Sequence, residues 1–539
     1  MHTSVTDARG KVFGTTFDAL GRVIAETNPQ NQTLTYGYDA RDGLISHQDA
    51  RAVTTTRVVD GFGQVIRESS PDSGQRDFWY DEGGRLTRVD DADGRRTDFG
   101  YDASGRRTAA FFAGAPQQGI VYTYDNQAAG NHGRGRLTGL TDALGTAAYR
   151  YDAQGRVTEE TRGLGGRAYV TTYAYDANGE VTQIGYPSGR VVTVGRASDG
   201  LATGITTQAT AGGATQTVAG AVAYRPFGDL GSLVFGNGLQ HARAYDGNGW
   251  LSWLYVGLGA PAAPVMNLDL LRDGDGRLTT VGDNVNASRN AGFGYTDAGR
   301  LMTAAGPWGS DVYGYDAGGN RTSVSRTIGS ATVAEAVLPA AGSNRLISVS
   351  SGGSTIRTFS HSPAGMLQTD VRGGVAYAYG YDARGRLSTA SINGTVVGRY
   401  GYDAFGRRSW REATQGSATI RRHYLFDGDG RLLAEHDADT GTAVREYVWL
   451  DDTPLALIDR DAGGAPRTLF IHAGHLDEPL MMTDAAGVIV WEARLEPFGA
   501  ATVLGGKGAN AADAADALDW AVTRLMLERR GGGPRVAVL

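Results

Sequence analysis

The stretch Tyr101-Asp102-Ala103-Ser104-Gly105-Arg106 contains the pattern aromatic-Asp-Ala-x-Gly-Arg, and this pattern decides the fold. The same pattern precedes it at a constant spacing, because the matching aspartates are 21 residues apart. A fixed period must be identified before domains are counted, since each period corresponds to one structural unit. The aspartates in this register are Asp18, Asp39, Asp60, Asp81 and Asp102.

The pattern continues beyond this stretch with looser spacing, so repeats extend over most of the chain. A step of 21 residues returns between Asp382 and Asp403. A second turn signal falls halfway through many units, as in Asp7-Ala8-Arg9-Gly10 and Asp91-Ala92-Asp93-Gly94. The other copies are centred on Asp125, Asp152, Asp176, Asp246, Asp316 and Asp427.

A turn every ten or eleven residues leaves about six residues for each strand. Asp can accept hydrogen bonds from the backbone of its own turn, and a Gly three residues later supplies the positive φ that such turns need. Tyr36-Gly37-Tyr38 and Tyr313-Gly314-Tyr315 alternate large and small residues before the turn, which places both rings on one sheet face. Each period therefore predicts one antiparallel β-hairpin, with tyrosines aligned between neighbouring hairpins.

The composition agrees with a turn-rich, globular chain. Glycine occurs 80 times in 539 residues, about double the usual share, whereas Pro occurs only 15 times. The formal net charge of −7 gives no general case for nucleic-acid binding. Cysteine is absent, which excludes disulfides and thiolate metal sites. Almost all positive charge is Arg, whose planar group can bridge strands and stack on Tyr.

The predicted fold class is all-β: consecutive antiparallel hairpins with a 21-residue period, coiling into a hollow or partial shell. Regular repeats occupy residues 1–184, and irregular repeats with longer loops are expected at 185–345. Repeats resume at 346–499. The remainder, 500–539, is a non-repeat tail, in which Ala509 to Leu539 has the apolar spacing of a short helix. Almost no helix is expected before residue 500.

The repeats resemble the RHS repeat family, whose YD repeats also form the barrel of teneurins. Stretches such as Tyr447 to Ala456 and Ile471 to Pro479 are similar to the region that leads into the core of that family. The resemblance implies a hollow β-shell followed by a core with an Asp-Pro self-cleaving motif and a variable toxin. No Asp-Pro dipeptide occurs in this sequence, so no catalytic residue is carried over and a truncated member is expected.

The resemblance predicts a non-catalytic shell that encloses or presents a C-terminal effector, of the kind found in polymorphic toxins or contact-dependent competition. The expected partners are that effector and a secretion system, and the location is secreted or cell-surface. The polar stretch Met1 to Asp7 is not a signal peptide, and no apolar stretch is long enough to span a membrane. The alternatives are a surface adhesion or carbohydrate-binding protein and, for the fold, a β-propeller.

Three motifs contain residue types that are typical of chemical sites, and each is expected to have a structural role instead. His472, His475 and Asp477 could meet one metal ion, but they are expected to lie in a turn. Acidic pairs have the spacing that begins a calcium loop but lack its remaining ligands. The stretch Gly163 to Gly166 has no phosphate-binding context. No catalytic, cofactor-binding or metal-binding residue is therefore predicted. The acidic pairs are Asp91 with Asp93, Asp273 with Asp275, and Asp427 with Asp429.

Overall fold

A computed structural model describes residues 1–503 of the protein, except residues 260–262, 417, 462 and 463. The chain divides into two compact units. The first contains residues 1–119, 271–281 and 288–399, and the second contains residues 120–270, 282–287 and 400–539. The helix predicted between Ala509 and Leu539 lies outside the described residues.

The described residues are almost entirely β-strand, which confirms the predicted fold class. Two single turns of 3-10 helix, Pro116–Gln118 and Ala287–Arg289, are the only helical elements among them. The described part of the chain also holds no helix with the length and apolar character needed to cross a bilayer. The strands in the first part of the chain are β1 (His2–Thr6), β2 (Val12–Phe17), β3 (Val23–Thr27), β4 (Thr33–Tyr38), β5 (Leu44–Gln48), β6 (Thr54–Val59), β7 (Val65–Ser70), β8 (Gly74–Tyr80), β9 (Leu86–Asp90), β10 (Arg96–Tyr101) and β11 (Arg107–Phe112).

The strands in the middle and last parts of the chain have similar lengths. Those of the middle part are β12 (Ile120–Tyr124), β13 (Leu137–Asp142), β14 (Gly145–Tyr151), β15 (Val157–Leu164), β16 (Arg167–Tyr175), β17 (Val181–Gly185), β18 (Val191–Arg196), β19 (Ala202–Gln208), β20 (Thr215–Tyr224), β21 (Leu230–Phe235), β22 (Gln240–Tyr245), β23 (Leu251–Gly257) and β24 (Met266–Arg272). Those that follow are β25 (Leu278–Asp283), β26 (Ala291–Tyr295), β27 (Leu301–Gly306), β28 (Gly309–Tyr315), β29 (Arg321–Ile328), β30 (Ala331–Pro339), β31 (Leu346–Ser351), β32 (Ser354–His361), β33 (Leu367–Arg372), β34 (Val375–Tyr381), β35 (Leu387–Ile392), β36 (Thr395–Tyr402), β37 (Arg408–Gln415), β38 (Ala418–Phe426), β39 (Leu432–Asp437), β40 (Ala443–Leu450), β41 (Thr453–Arg460), β42 (Pro466–Ala473), β43 (Pro479–Thr483), β44 (Ile489–Leu495) and β45 (Ala501–Val503).

Within each unit, a strand pairs antiparallel with the strand that follows it in sequence. Strands β1 to β11 form one uninterrupted run of such pairs. A β-propeller is built from separate blades of four strands, so this continuous pairing excludes the propeller alternative.

The register shifts by one residue at the aromatic position that precedes the turn. Gly100 pairs with Ala109, whereas the next residue, Tyr101, pairs with Arg107. Thr108 therefore lies on the return strand as an extra residue, a β-bulge. The turn itself has a three-residue loop between Asp102 and Arg106, and the last position of such a loop needs a positive φ. Gly105 occupies that position with a φ of 80°.

The second unit has the larger apolar core. Strands β38 to β44 contribute a buried cluster that includes Tyr424, Tyr447, Leu469 and Trp491. Residues at consecutive positions of β39, β41 and β42 are buried, so these strands are covered on both faces.

Candidate functional site

The aspartate of the repeat organises its own turn. One oxygen of Asp102, Oδ1, accepts hydrogen bonds from the backbone N–H of Ser104 and of Arg106, both at 2.9 Å. The other, Oδ2, accepts a hydrogen bond of 2.7 Å from Nε of Arg106. The bond from the Arg106 side chain is the main reason why the pKa of Asp102 is below its usual value. These bonds stabilise the carboxylate form and hold the turn in one conformation.

The arginine of one repeat also contacts the next repeat. Nε of Arg85 lies 2.7 Å from Oδ2 of Asp81 in its own turn, and its guanidinium lies over the ring of Tyr101, 5.2 Å from the centroid. The Tyr101 hydroxyl donates to the carbonyl oxygen of Leu86 at 2.8 Å. These two repeats are thus joined by an arginine stacked on a tyrosine. The same stacking joins Arg22 with Tyr38, Arg156 with Tyr175, and Arg225 with Tyr245.

We expect the repeat glycine to contribute more to stability than the repeat aspartate. Gly105→Val places a β-branched residue at a φ of 80°, with an expected loss of about 1–2 kcal/mol. Asp102→Asn keeps the oxygen that accepts the two backbone bonds and loses only the bond from Arg106. Thermal unfolding should therefore give a lower melting temperature for Gly105→Val than for Asp102→Asn, with calcium or with chelator. The opposite order, or a calcium-dependent difference, would contradict the structural role of these turns.

In the first unit, polar side chains join two segments that are far apart in sequence. Nδ2 of Asn344 donates to Oδ2 of Asp49 at 3.0 Å and to Oδ2 of Asp72 at 2.9 Å. Oδ1 of Asn344 accepts from Nη1 of Arg51 at 2.9 Å. One amide side chain therefore binds two turns of the earlier segment at once.

This contact is one of several hydrogen bonds and ion pairs between the turns of residues 7–118 and those of residues 273–386. We call this set of contacts the first seam. Nε of Arg9 lies 2.6 Å from Oδ2 of Asp275. The backbone N–H of Ala364 donates to Oδ1 of Asp93 at 2.8 Å. The halfway turns of the earlier segment thus bind turns of the later segment.

The second unit has its own second seam, which joins residues 142–243 to residues 404–484. Nε of Arg190 donates to Oε2 of Glu446 at 2.6 Å, and the other oxygen of this carboxylate accepts from Ser188 Oγ. The hydroxyl of Tyr186 donates to the carbonyl oxygen of Tyr447 at 2.7 Å. The side chains of Arg190 and Glu446 are only 8% and 7% exposed, so this ion pair is buried.

The structure separates the residues of the possible metal site. His472 is buried, and its Nε2 lies 2.9 Å from Oγ1 of Thr483. Oδ1 of Asp477 instead accepts from Oγ1 of Thr453 at 2.8 Å and from Arg243. Among the described residues, no group of three or more His, Asp or Glu is arranged to hold a metal ion.

The acidic pairs and the glycine stretch lie in hairpin turns. Oδ1 of Asp273 accepts from the backbone of Asp275, and the second carboxylate in each pair forms ion pairs with Arg. Gly165 and Gly166 form the two-residue loop between β15 and β16, with φ of 55° and 78°. Two successive positive φ values are typical of a type I′ turn.

Continuous antiparallel hairpins, repeated Tyr-Asp turns and arginine-tyrosine stacking define a protein of the YD-repeat class. The family model for the teneurin YD-shell matches residues 237–504. The RHS repeat model matches residues 17–54, 80–110 and 132–168. The chain belongs to the RHS/YD repeat proteins. Among curated protein sequences, none matches this chain significantly.

The fold is similar to that of solved toxin complexes. A structure of the Photorhabdus luminescens Tc holotoxin pore matches with a TM-score of 0.78 and 15% identity, over 91% of this chain and 27% of the other. A crystal structure of TcdB2-TccC3 matches with a TM-score of 0.78 and 14% identity, over 92% and 29%. A related TcdB2-TccC3-TEV structure has a TM-score of 0.80 and 14% identity, over 94% and 28%. This chain therefore spans less than a third of those chains.

Sequence reasoning did not find the two seams. The partners Arg190 and Glu446 are 256 residues apart, and Asn344 is 272 residues from Asp72. No local pattern distinguishes them from the other polar residues in turns. A weak signal exists at Tyr186-Pro187-Ser188-Gly189-Arg190, which is a turn of the repeat without the usual aspartate.

Proposed function

We propose that this protein is a non-catalytic RHS shell that encloses or presents a C-terminal effector of the polymorphic-toxin type. The observation that carries the proposal is the similarity of fold over more than nine tenths of the chain to the Tc toxin structures. The RHS shell fold is generally structural rather than catalytic. The effector, a secretion system and a secreted or surface location complete the proposal.

The two seams support an enclosing role. A sheet of paired strands can enclose a volume only if segments that are far apart in sequence are also held together. In each unit, hydrogen bonds and ion pairs between turns hold an earlier segment against a later one. These bonds have defined geometry, so they resist sliding of one segment along the other better than apolar contacts alone.

A protection experiment tests the proposal. An unfolded, protease-sensitive reporter is fused after Leu539 of the full chain, and its cleavage rate is measured by gel electrophoresis. Enclosure should slow cleavage by at least about tenfold relative to the free reporter, because a protease cannot reach a sequestered chain. The control carries the same reporter before Met1. Equal cleavage rates for the two fusions would contradict enclosure.

A second candidate function is carbohydrate binding at the cell surface. Cross-strand pairing in the first unit places Trp79, Arg88, Asp98 and Phe111 in one row across β8 to β11. Trp79 is 40% exposed and Phe111 is 52% exposed. Exposed aromatic rings beside a guanidinium and a carboxylate are the groups that stack on sugar rings and bind their hydroxyls.

A glycan array with the full chain tests this second candidate. Binding should be lost in Trp79→Ala and kept in Phe62→Ala, because Phe62 is exposed but lies in a turn outside the row. Absence of binding to every glycan, or binding that is unaffected by Trp79→Ala, would contradict it.

A further inference from the structure

Four of the nine histidines are buried, and all four lie in the second unit. They form two pairs, each arranged around one aromatic ring of the earlier segment. His423 and His436 lie next to Tyr169, and His241 and His472 lie next to Phe235. The second seam therefore contains two similar clusters that the turn contacts do not explain.

The first pair has little capacity to accept a second proton. Nδ1 of His423 lies 2.9 Å from the hydroxyl of Tyr169, and its ring is edge-on to that of Tyr169. Nδ1 of His436 donates to the carbonyl oxygen of Gly441 at 2.9 Å. Nε2 of His436 is buried without a hydrogen-bond partner. A proton added there would create a buried charged N–H with no acceptor.

The second pair is restricted in a similar way. Nε2 of His241 accepts a hydrogen bond of 3.0 Å from Nε of Arg243, so this nitrogen carries no proton. Its protonation would break the bond and place two cations in contact. Nε2 of His472 lies 2.9 Å from Oγ1 of Thr483, whereas Nδ1 is buried without a partner.

Charged groups of both signs surround the two pairs. From the earlier segment, Arg162 and Arg167 disfavour a charge on His423, and Arg243 disfavours one on His241. From the later segment, Asp437 favours a charge on His423, and Glu446 favours one on His436. Asp477 binds Arg243 and reduces that repulsion in part.

We propose that the two histidine pairs make the second seam sensitive to pH, so that acidification weakens the contact between residues 142–243 and residues 404–484. At neutral pH the rings are uncharged and pack against Tyr169 and Phe235. In acid, their protonation puts repelling charges into a buried contact. The proposal does not depend on the enclosed effector, because it concerns only the contact between two segments of one unit.

The titration of these rings has the required sign. Burial lowers the pKa of His423 to about 4 and that of His472 to about 3, from 6.5. Burial also lowers the pKa of His241 and of His436. A base whose pKa is lower in the folded state binds more protons when unfolded, so stability falls as pH decreases from about 6.5 towards 4. At about pH 4.5, protonation of His423 and of His472 each favours the state in which the second seam is open by about 100-fold.

Two buried carboxyl groups act in the opposite direction. Burial raises the pKa of Glu160 and that of Asp427, so these groups stabilise the fold as they become protonated. The total pH dependence therefore does not isolate the histidines. A comparison between variants that differ only in their histidines isolates the contribution of these residues.

Thermal unfolding of the full chain at pH 7 and at about pH 4.5 tests the proposal. The melting temperature should fall by about 10 °C in acid, and His423→Gln combined with His472→Gln should remove at least half of that fall. His132→Gln is the control, because His132 is exposed, and it should keep the full decrease. An equal decrease in the double variant and in the control would overturn the proposal.

Hydrogen exchange of the unmodified chain gives a second test if the double variant does not fold. Peptides from β16 and β38 should lose at least about tenfold protection between pH 7 and about pH 5, after correction for the intrinsic exchange rate. Peptides from β29 and β30, in the first unit, are the internal control and should not change. Equal protection of the second seam at both pH values would overturn the proposal.

Discussion

Gly365→Ala is expected to lower the free energy of unfolding by about 3–5 kcal/mol, because two penalties coincide at this position. Gly365 has a φ of 83°, a conformation that residues with a Cβ atom resist. A Cβ added there would also overlap the carbonyl oxygen of Asp72, which belongs to the backbone of the other segment of the first seam. That oxygen accepts a bond of 2.9 Å from Nε of Arg345, so it is not free to move.

Gly105→Ala is the matched control. Gly105 holds the same position in its turn with a φ of 80°, but the nearest atom to an added Cβ is Nη1 of Arg85, at 3.8 Å. Only the backbone penalty remains, about 1 kcal/mol. Denaturant unfolding of both variants measures the difference. Equal losses in the free energy of unfolding would show that Gly365 does not contact the backbone of Asp72 in solution.

Arg190→Ala is expected to cost about 3–5 kcal/mol, because it leaves the carboxylate of Glu446 buried without its cation. Arg67→Ala is the control, since Arg67 is 51% exposed and forms an ion pair with Asp77 at the surface. Exposed pairs contribute up to about 1 kcal/mol. Chemical denaturation of both variants measures the two losses.

A double-mutant cycle separates the ion pair from the packing of its side chains. Arg190→Met with Glu446→Gln removes both charges, so the double variant should be more stable than the sum of the single losses indicates. Additive losses would show that the two side chains do not interact in solution. The same variants can be placed in the reporter fusion, where loosening of the second seam should speed cleavage without changing the strand pairing.

The sequence by itself determined the hairpins. Asp102 binds the N–H groups of Ser104 and Arg106, and Gly105 provides the positive φ, so the interactions that shape the turn join residues at most four positions apart. Interactions this local are visible as a motif, and a fixed period makes the motif unmistakable. For the same reason, the sequence alone predicts that the acidic pairs lie in hairpin turns.

Only the tertiary structure decided which turns meet. Arg190 and Glu446 are 256 residues apart, and each looks like an ordinary surface residue in its own hairpin. His423 is likewise buried, and its ring contacts Tyr169, which is 254 residues away in sequence. The repeat makes many pairings between segments locally equivalent, since all turns share one geometry. The choice among them depends on the sum of long-range contacts, such as Asn344 with Asp49 and Asp72 in the first unit, and these contacts form only when segments distant in sequence meet.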